Sequence, residues 1–304
     1  MSCLFPDTLQ VHERGWLSSN SILGFDGNTA TLIDSGYVAH AAETVVLVTR
    51  ALGSRRLTRI LTTHCHSDHI GGNAALQSAT GCVVTIPDES EAIIARWDEE
   101  ALLLTPVGQR AERFTANATY GAGDQYEMAG LNWQALAVPG HDMAALALYN
   151  PERKLLISGD ALWENGFGPI FPELLGTAAG LKATRDTLEM LARLPLKGVI
   201  PGHGAPFTTV DEAFERAFRR LTGFEQNIET HARHTLKVIF AFLMLDQRRL
   251  RSDELPEFLT KLSFVQQVNG RFLNLDLDHL AEWLVTELCR SGTLREEDGW
   301  LVAC

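Results

Sequence analysis

The chain has 304 residues, of which 45% are hydrophobic and 21% charged, with a formal net charge of −12 and a pI of about 5.3. This balance is that of a globular protein with one large domain, or a large and a small one, and it excludes a disordered chain. The acidic charge disfavours a strongly electrostatic nucleic-acid binder, because phosphates are neutralised by clustered Lys and Arg.

The N-terminal sequence and the cysteines bear on the compartment. The first ten residues, MSCLFPDTLQ, contain neither a basic segment nor a long apolar run, so no signal peptide is predicted. The most apolar later run, residues 236–245, is too short to span a bilayer. The cysteines are odd in number and form no C-x-x-C pair, which favours reduced thiols: Cys3, Cys65, Cys82, Cys289 and Cys304. We therefore expect a cytoplasmic protein that is not inserted in a membrane.

The N-terminal half predicts a hairpin followed by a βαβ unit. Strands are expected at residues 21–25 and 29–34 around the turn Asp26-Gly27-Asn28, and a helix at 39–52 ends before Gly53. A strand at 57–62, a short helix at 72–78 and a strand at 82–86 follow. This alternation is typical of a βαβ unit.

After a middle part rich in helix and loop, strands return at residues 131–138, 144–149 and 155–158. An amphipathic helix at 177–194 and a short strand at 198–200 complete this half. Each half therefore combines hairpins with βα units, which indicates an α/β fold with two sheets covered by helices.

The C-terminal third has a different, mainly helical pattern. A capping box at Thr209 and Glu212 predicts a long helix with one apolar face, formed by Phe214, Phe218, Leu221, Phe224 and Ile228. Three helices and a terminal hairpin with its tip at Asp298-Gly299 follow from residue 236. We predict a catalytic domain at 1–210, a connecting helix at 211–235 and a small winged-helix-like domain at 236–304.

Four chemically distinctive motifs each follow a predicted strand. They contain five of the ten histidines and two aspartates: His64, His66, Asp68 and His69 in T-H-C-H-S-D-H-I-G-G, His141 in V-P-G-H, Asp160 in I-S-G-D, and His203 in P-G-H-G. In α/β proteins, the loops that follow strands carry the functional site. The other five histidines lack such a context and are interpreted as structural or surface residues.

The spacing in the first motif is suited to metal binding. In an extended segment His64 and His66 point to the same side, and Cys65 points away from them. Asp68 and His69 follow where the chain turns into a helix, so they approach from a second direction. Imidazole and carboxylate suit zinc, and also iron or manganese.

The order H-x-H-x-D-H, followed downstream by His, Asp and His, resembles the metallo-β-lactamase superfamily, and its glyoxalase II-like branch in particular, over roughly residues 15–210. The resemblance implies a four-layer αβ/βα sandwich with two divalent metal ions at one edge of the sheets. It also implies that His64, His66 and His141 hold the first metal, that Asp68, His69 and His203 hold the second, and that Asp160 bridges both.

This site predicts a binuclear metal-dependent hydrolase in which a metal-bridging hydroxide attacks an ester or thioester of a small molecule. Asp68 is also a candidate proton shuttle, because a carboxylate beside the nucleophile can take and return its proton. Trp163, Phe167 and Phe171, on the loop after Asp160, are candidates for an apolar wall of the substrate pocket.

One departure from the family pattern and the C-terminal third leave alternatives open. Asp142 follows His141 where many relatives have Ser or Thr, and it either orients His141 or faces solvent. The C-terminal third resembles lactamase-like hydrolases with a winged-helix extension, some of which cut RNA, so a phosphodiesterase or RNA endonuclease stays open. However, residues 236–304 contain 8 Lys and Arg against 11 Asp and Glu, so nucleic acid is not the expected partner. A weakly active binding or regulatory protein is the third interpretation, and a homodimer is possible.

Overall fold

The computed structural model describes residues 4–177 and 179–304, and its larger part is built on two sheets. The first sheet has the order β1-β2-β3-β4-β5-β6, in which β1 to β3 are antiparallel and β3 to β6 are parallel. Its strands are β1 (Leu9–His12), β2 (Ser21–Asp26), β3 (Thr29–Ile33), β4 (Arg56–Leu61), β5 (Val83–Pro87) and β6 (Ala118–Tyr120).

The second sheet has the order β11-β10-β9-β8-β7 and is antiparallel except for the pair β10 and β11. Its strands are β7 (Gln125–Met128), β8 (Leu131–Ala137), β9 (Leu146–Asn150), β10 (Leu155–Gly159) and β11 (Gly198–Pro201). The short strands β1, β6 and β7 were not predicted from the sequence.

Helices cover the outer face of each sheet. The first sheet carries α1 (Ala41–Leu52), α2 (Ser67–Ile70), α3 (Asn73–Thr80), α4 (Glu91–Arg96) and α5 (Leu104–Val107) in its connections. The second sheet is followed or interrupted by α6 (Phe171–Leu175), α7 (Gly180–Ala192) and α8 (Val210–Gln226). The predicted helix 177–194 corresponds to α7, and Ala178 lies outside the described residues.

Alternation along the strands explains the four layers. In β2, Ile22 packs into the core between the two sheets, whereas its neighbour Leu23 packs outward against the helices. In β9, Leu148 faces the same central core and Ala147 faces α7 and α8. Side chains of successive strand residues point to opposite faces, so each sheet has two buried sides. The chain is the predicted four-layer αβ/βα sandwich.

The C-terminal part is mainly helical, with a small sheet. It contains α9 (Ile228–Gln247), β12 (Arg249–Arg251), α10 (Leu255–Thr260), α11 (Ser263–Val268), α12 (Leu277–Arg290), β13 (Leu294–Glu297) and β14 (Trp300–Ala303). β13 and β14 form the predicted terminal hairpin, and β12 adds a third strand to it. The interpretation of this part as a separate winged-helix-like domain stays a prediction.

The predicted connecting helix at 211–235 is wrong, because the structure has two helices there. Asn227 is extended (φ −148°, ψ 99°) and its side chain accepts hydrogen bonds from the backbone N–H groups of Glu229 and Thr230. This N-cap begins α9, which then runs through the expected domain boundary at residue 236. The predicted capping box at Thr209 is also wrong, since the Thr209 hydroxyl donates to Glu164 Oε1 at 3.2 Å.

Among the described residues, no helix combines the length and the apolar character that a bilayer crossing requires. The four described cysteines are all free, and Cys3 lies outside the described residues.

Candidate metal centre

Loops at one edge of the two sheets bring the seven predicted residues together. His64 and His66 follow β4, and Asp68 and His69 lie on the short helix α2. His141 lies between β8 and β9, while the downstream residues follow their strands directly, Asp160 after β10 and His203 after β11. The seven side chains form three overlapping groups, and within each group the possible ligand atoms lie within 4.8 Å of one another.

The first group consists of His64, His66 and His141. The Nε2 atom of His141 lies 2.8 Å from Nδ1 of His66 and 3.2 Å from Nε2 of His64. The Nδ1 atom of His141 lies 2.5 Å from the carbonyl oxygen of Pro169, which can only accept a hydrogen bond. The neutral His141 ring therefore carries its proton on Nδ1, and its Nε2 lone pair points at the other two rings.

The second group consists of Asp68, His69 and His203. The third group, His64, His69 and Asp160, shares one histidine with each of the other two, so Asp160 lies between them. Nε2 of His203 lies 3.0 Å from Oδ2 of Asp68. The Asp160 carboxylate places Oδ1 3.4 Å from Nε2 of His69 and Oδ2 3.5 Å from Nε2 of His141. Asp160 is thus the only one of the two aspartates that approaches a histidine of each group.

An aspartate that the sequence analysis missed supports this site. The buried carboxylate of Asp34 accepts hydrogen bonds from the backbone N–H and the hydroxyl of Thr63 and from Nδ1 of His69, each at 2.8 Å. This leaves Nε2 of His69 facing Asp68 and Asp160. A signal for Asp34 was present, since it ends the predicted strand 29–34, which pairs in parallel with the strand leading to His64.

Burial and charge set the protonation of the site. Burial lowers the pKa of His64 well below its ordinary value and lowers the pKa of His66 and of His141 to about 4. Burial also opposes a charge on His69, but the carboxylates of Asp34, Asp160 and Asp68 outweigh it and raise the His69 pKa. The first group therefore presents neutral imidazoles, which are the form that binds metal.

The donor set fits divalent cations. Nε2 of His69 is buried and has no hydrogen-bond partner among the described residues, although two carboxylates face it. In the first group, three imidazole nitrogens converge, and the Asp160 carboxylate oxygen lies 3.5 Å from one of them, Nε2 of His141. A cation at each position would satisfy these atoms, and imidazole with carboxylate is a donor set that zinc, iron and manganese accept.

Asp142 follows neither of the two alternatives expected for it. Its Oδ1 accepts a hydrogen bond from the backbone N–H of Ala144 at 2.7 Å, and its Oδ2 lies 3.9 Å from Nε2 of His66. Asp142 therefore approaches His66 and not His141, whose Nδ1 is already bonded to Pro169. Cys65 is buried in the core beneath the first sheet, away from the site, as the alternation along the strand predicts.

A cavity of about 570 Å³ opens beside these residues. Trp163 and Phe171 line it, and the indole N–H of Trp163 donates to Oδ1 of Asp160 at 3.2 Å. Phe167 does not line it, because its side chain is buried in the core against Phe224. Trp16, which was not predicted, also lines the cavity; its ring stacks on that of His203 with centroids 5.5 Å apart.

Comparison with known proteins identifies the family. Residues 14–203 match the model of the metallo-beta-lactamase superfamily. Hydroxyacylglutathione hydrolases from Ectopseudomonas mendocina and Pseudomonas aeruginosa are 35% and 36% identical over 145 and 141 residues. These matches cover 48% and 46% of this chain and 46% and 44% of those proteins, so the similarity spans less than half of the relatives' length.

Solved structures show the same fold at low sequence identity. The B3 metallo-beta-lactamase BLEG-1 superposes with a TM-score of 0.54 at 19% identity, covering 68% of this chain and 96% of that chain. A metallo-beta-lactamase family protein from Thermus thermophilus superposes with a TM-score of 0.56 at 20% identity, covering 98% and 99% of the two chains. The family match, which covers most of the chain, and the shared fold lead to one conclusion: this chain belongs to the metallo-beta-lactamase superfamily.

Proposed function

We propose that this protein is a metal-dependent hydrolase that cleaves a thioester or ester of a small molecule. It would use two divalent ions, and zinc is the first candidate for both. His64, His66 and His141 would hold one ion, and Asp68, His69 and His203 the other. Asp160 would contact both. The observation that carries the proposal is the convergence of these seven side chains beside one cavity.

When bound, divalent ions supply Lewis acidity, which polarises a carbonyl group and makes water more acidic. The chain's own residues orient the side chains that would hold these ions. Pro169 and Asp34 fix the rings of His141 and His69, and Trp163 holds the Asp160 carboxylate. Asp68, whose Oδ2 lies 3.0 Å from Nε2 of His203, would accept and return a proton.

The apolar lining of the cavity favours a small molecule over a polynucleotide as the substrate. Its walls are mostly apolar, which suits a small substrate better than a phosphate backbone. The relatives named hydroxyacylglutathione hydrolase support thioester cleavage among the possible reactions. A cytoplasmic location and a homodimer stay predictions.

Elemental analysis of the purified protein, combined with assays on a thioester, a lactone and bis(p-nitrophenyl) phosphate, tests the proposal. We expect about two divalent ions per chain and turnover of the thioester or the lactone. Turnover of the phosphodiester alone would replace the proposal by the phosphodiesterase alternative. Absence of metal, and of all activity after zinc, manganese or iron is supplied, would refute it.

Two variants link the activity to the site. Asp68→Ala should lose turnover and about one ion per chain, because it removes a ligand and the proton acceptor. Asp186→Ala is the matched control, since Asp186 is an exposed residue of α7 that pairs with Lys182 and lies outside the candidate site. Full activity with two ions in Asp68→Ala would show that the residue is wrongly assigned.

A further inference from the structure

Arg220 is a cation in the cavity for which the described part of the chain provides no partner. The side chain of Arg220, on α8, lines the cavity, and no ion pair or hydrogen bond engages it among the described residues. Other arginines nearby are engaged. Arg216 donates to the carbonyl oxygen of Glu164 at 2.7 Å, and Arg185 pairs with Glu225. A guanidinium that lines a cavity and has no protein acceptor there is available to bind an anion from outside the chain.

The loop after Asp160 makes room for this guanidinium. A Cβ atom added to Gly166 would lie 2.4 Å from Nη1 of Arg220, so any larger residue would displace the arginine. Gly166 also has a φ of +123°, which other residues rarely adopt. The space that the Arg220 guanidinium fills therefore depends on glycine at position 166. In this space the arginine packs against the loop that also carries Trp163.

Another part of the cavity lining is mainly apolar and comes from α9. Residues spaced along one face of this helix line the cavity: His234, Val238, Ala241, Phe242 and Leu245. Leu103 and Val107 add to it from the region of α5. His234, interpreted from the sequence as structural or surface, is thus a cavity residue. Both α9 and Arg220 lie beyond residues 14–203, so the family match does not define this wall.

We propose that the substrate is an amphiphilic thioester, with an apolar acyl chain against α9 and a carboxylate or phosphate group bound by Arg220. This inference rests on the proposed function and narrows its substrate class. Arg is suited to this task, because its planar guanidinium donates two parallel hydrogen bonds to a carboxylate or a phosphate. The anionic group belongs either to the acyl part or to the thiol part of the substrate, and the two sources can be separated by experiment.

Four thioesters test the proposal kinetically. Acetyl- and hexanoyl-N-acetylcysteamine are neutral, adipoyl-N-acetylcysteamine has a carboxylate on the acyl part, and S-hexanoyl-3-mercaptopropionate has one on the thiol part. We expect the hexanoyl compound to exceed the acetyl compound in kcat/KM by about tenfold or more, because longer chains bury more apolar surface. One of the two anionic compounds should exceed neutral hexanoyl-N-acetylcysteamine, and this identifies the source of the anion.

The variant Arg220→Gln should lower kcat/KM for the preferred anionic compound by about 10- to 100-fold, the loss of a charge-assisted hydrogen-bond pair. Its kcat/KM for the neutral compound should fall by a clearly smaller factor, and Arg220→Lys should recover part of the loss for the anionic compound. Arg219→Gln is the matched control, because Arg219 is an exposed neighbour on the same helix. An unchanged preference for the anionic compounds in Arg220→Gln would overturn the proposal.

A binding measurement separates this proposal from the proposed function. The thioethers S-hexylglutathione and S-hexyl-N-acetylcysteamine cannot be hydrolysed and differ in charge, so titration calorimetry with each reports recognition alone. We expect the wild-type protein to bind the anionic thioether more tightly and Arg220→Gln to lose this difference. If no thioester is hydrolysed but this difference is present, the proposed function fails and the anion site stands. Equal binding of both thioethers by the wild-type protein would overturn the anion site.

Discussion

Asp34 offers a sharp test of how the site is held, because its carboxylate accepts three hydrogen bonds. In Asp34→Asn one of the two oxygens becomes an NH₂ group. If that group faces His69, two donors meet, and the ring either loses the bond or moves its proton to Nε2, the atom that faces Asp68 and Asp160. If the amide is turned over, the NH₂ group faces the Thr63 backbone N–H, and that bond is lost.

Either orientation has a cost that can be worked out. Loss of a hydrogen bond to a charged, buried acceptor lowers the free energy of unfolding by about 1.5–3 kcal/mol. Loss of the group that orients a metal-binding histidine weakens metal affinity by about 10- to 100-fold. Chemical denaturation of the metal-free protein measures the first effect, and competition with a chromophoric chelator measures the second.

Asp26→Asn is the matched control for Asp34→Asn. Asp26 also accepts two backbone hydrogen bonds, from Ala129 at 3.1 Å and from Gly130 at 2.7 Å, but it contacts none of the candidate ligands. It should lower stability without changing metal affinity. Wild-type metal affinity in Asp34→Asn would refute the role assigned to Asp34, whatever its effect on stability.

Two further predictions concern a buried histidine and a glycine. Neither ring nitrogen of His231 has a hydrogen-bond partner among the described residues, and burial lowers its pKa from 6.5 to about 4. The unfolded chain therefore binds more protons between these pH values, and the folded protein should lose about 3 kcal/mol of stability as pH falls from 7 to 4. In denaturation curves His231→Phe should reduce this acid loss, and an unchanged pH slope would contradict the assignment. In Gly168→Ala the new Cβ would lie 2.6 Å from Nδ1 of His141 and displace the ring, so metal content should fall. Gly223→Ala is the control and should keep the wild-type metal content, because no atom lies within 4 Å of its new Cβ. Equal metal content in both variants would show that His141 tolerates the displacement.

Much of the fold follows from local sequence patterns. The alternation of residues in the predicted strands and the position of each motif after a strand indicated two sheets with the histidines at their edge, and the structure has this arrangement. These features depend on neighbouring residues in the chain, because strand alternation and turn chemistry act over a few positions. The short strands β1, β6 and β7 lack such a pattern, since only their pairing with other strands makes them strands.

The side-chain partners in the site were decided by tertiary structure. The position of Asp34 at the end of a predicted strand is a local signal, but its hydrogen-bond partners lie 29 and 35 positions away and could not be identified from the sequence. Asp142 faces His66 and not its neighbour His141. The Nδ1 atom of His141 already donates to the carbonyl oxygen of Pro169, which comes from another loop. The amino-acid sequence alone therefore indicated which histidines and aspartates lie at the edge of the sheets. Which of these side chains contact one another depends on how distant segments pack.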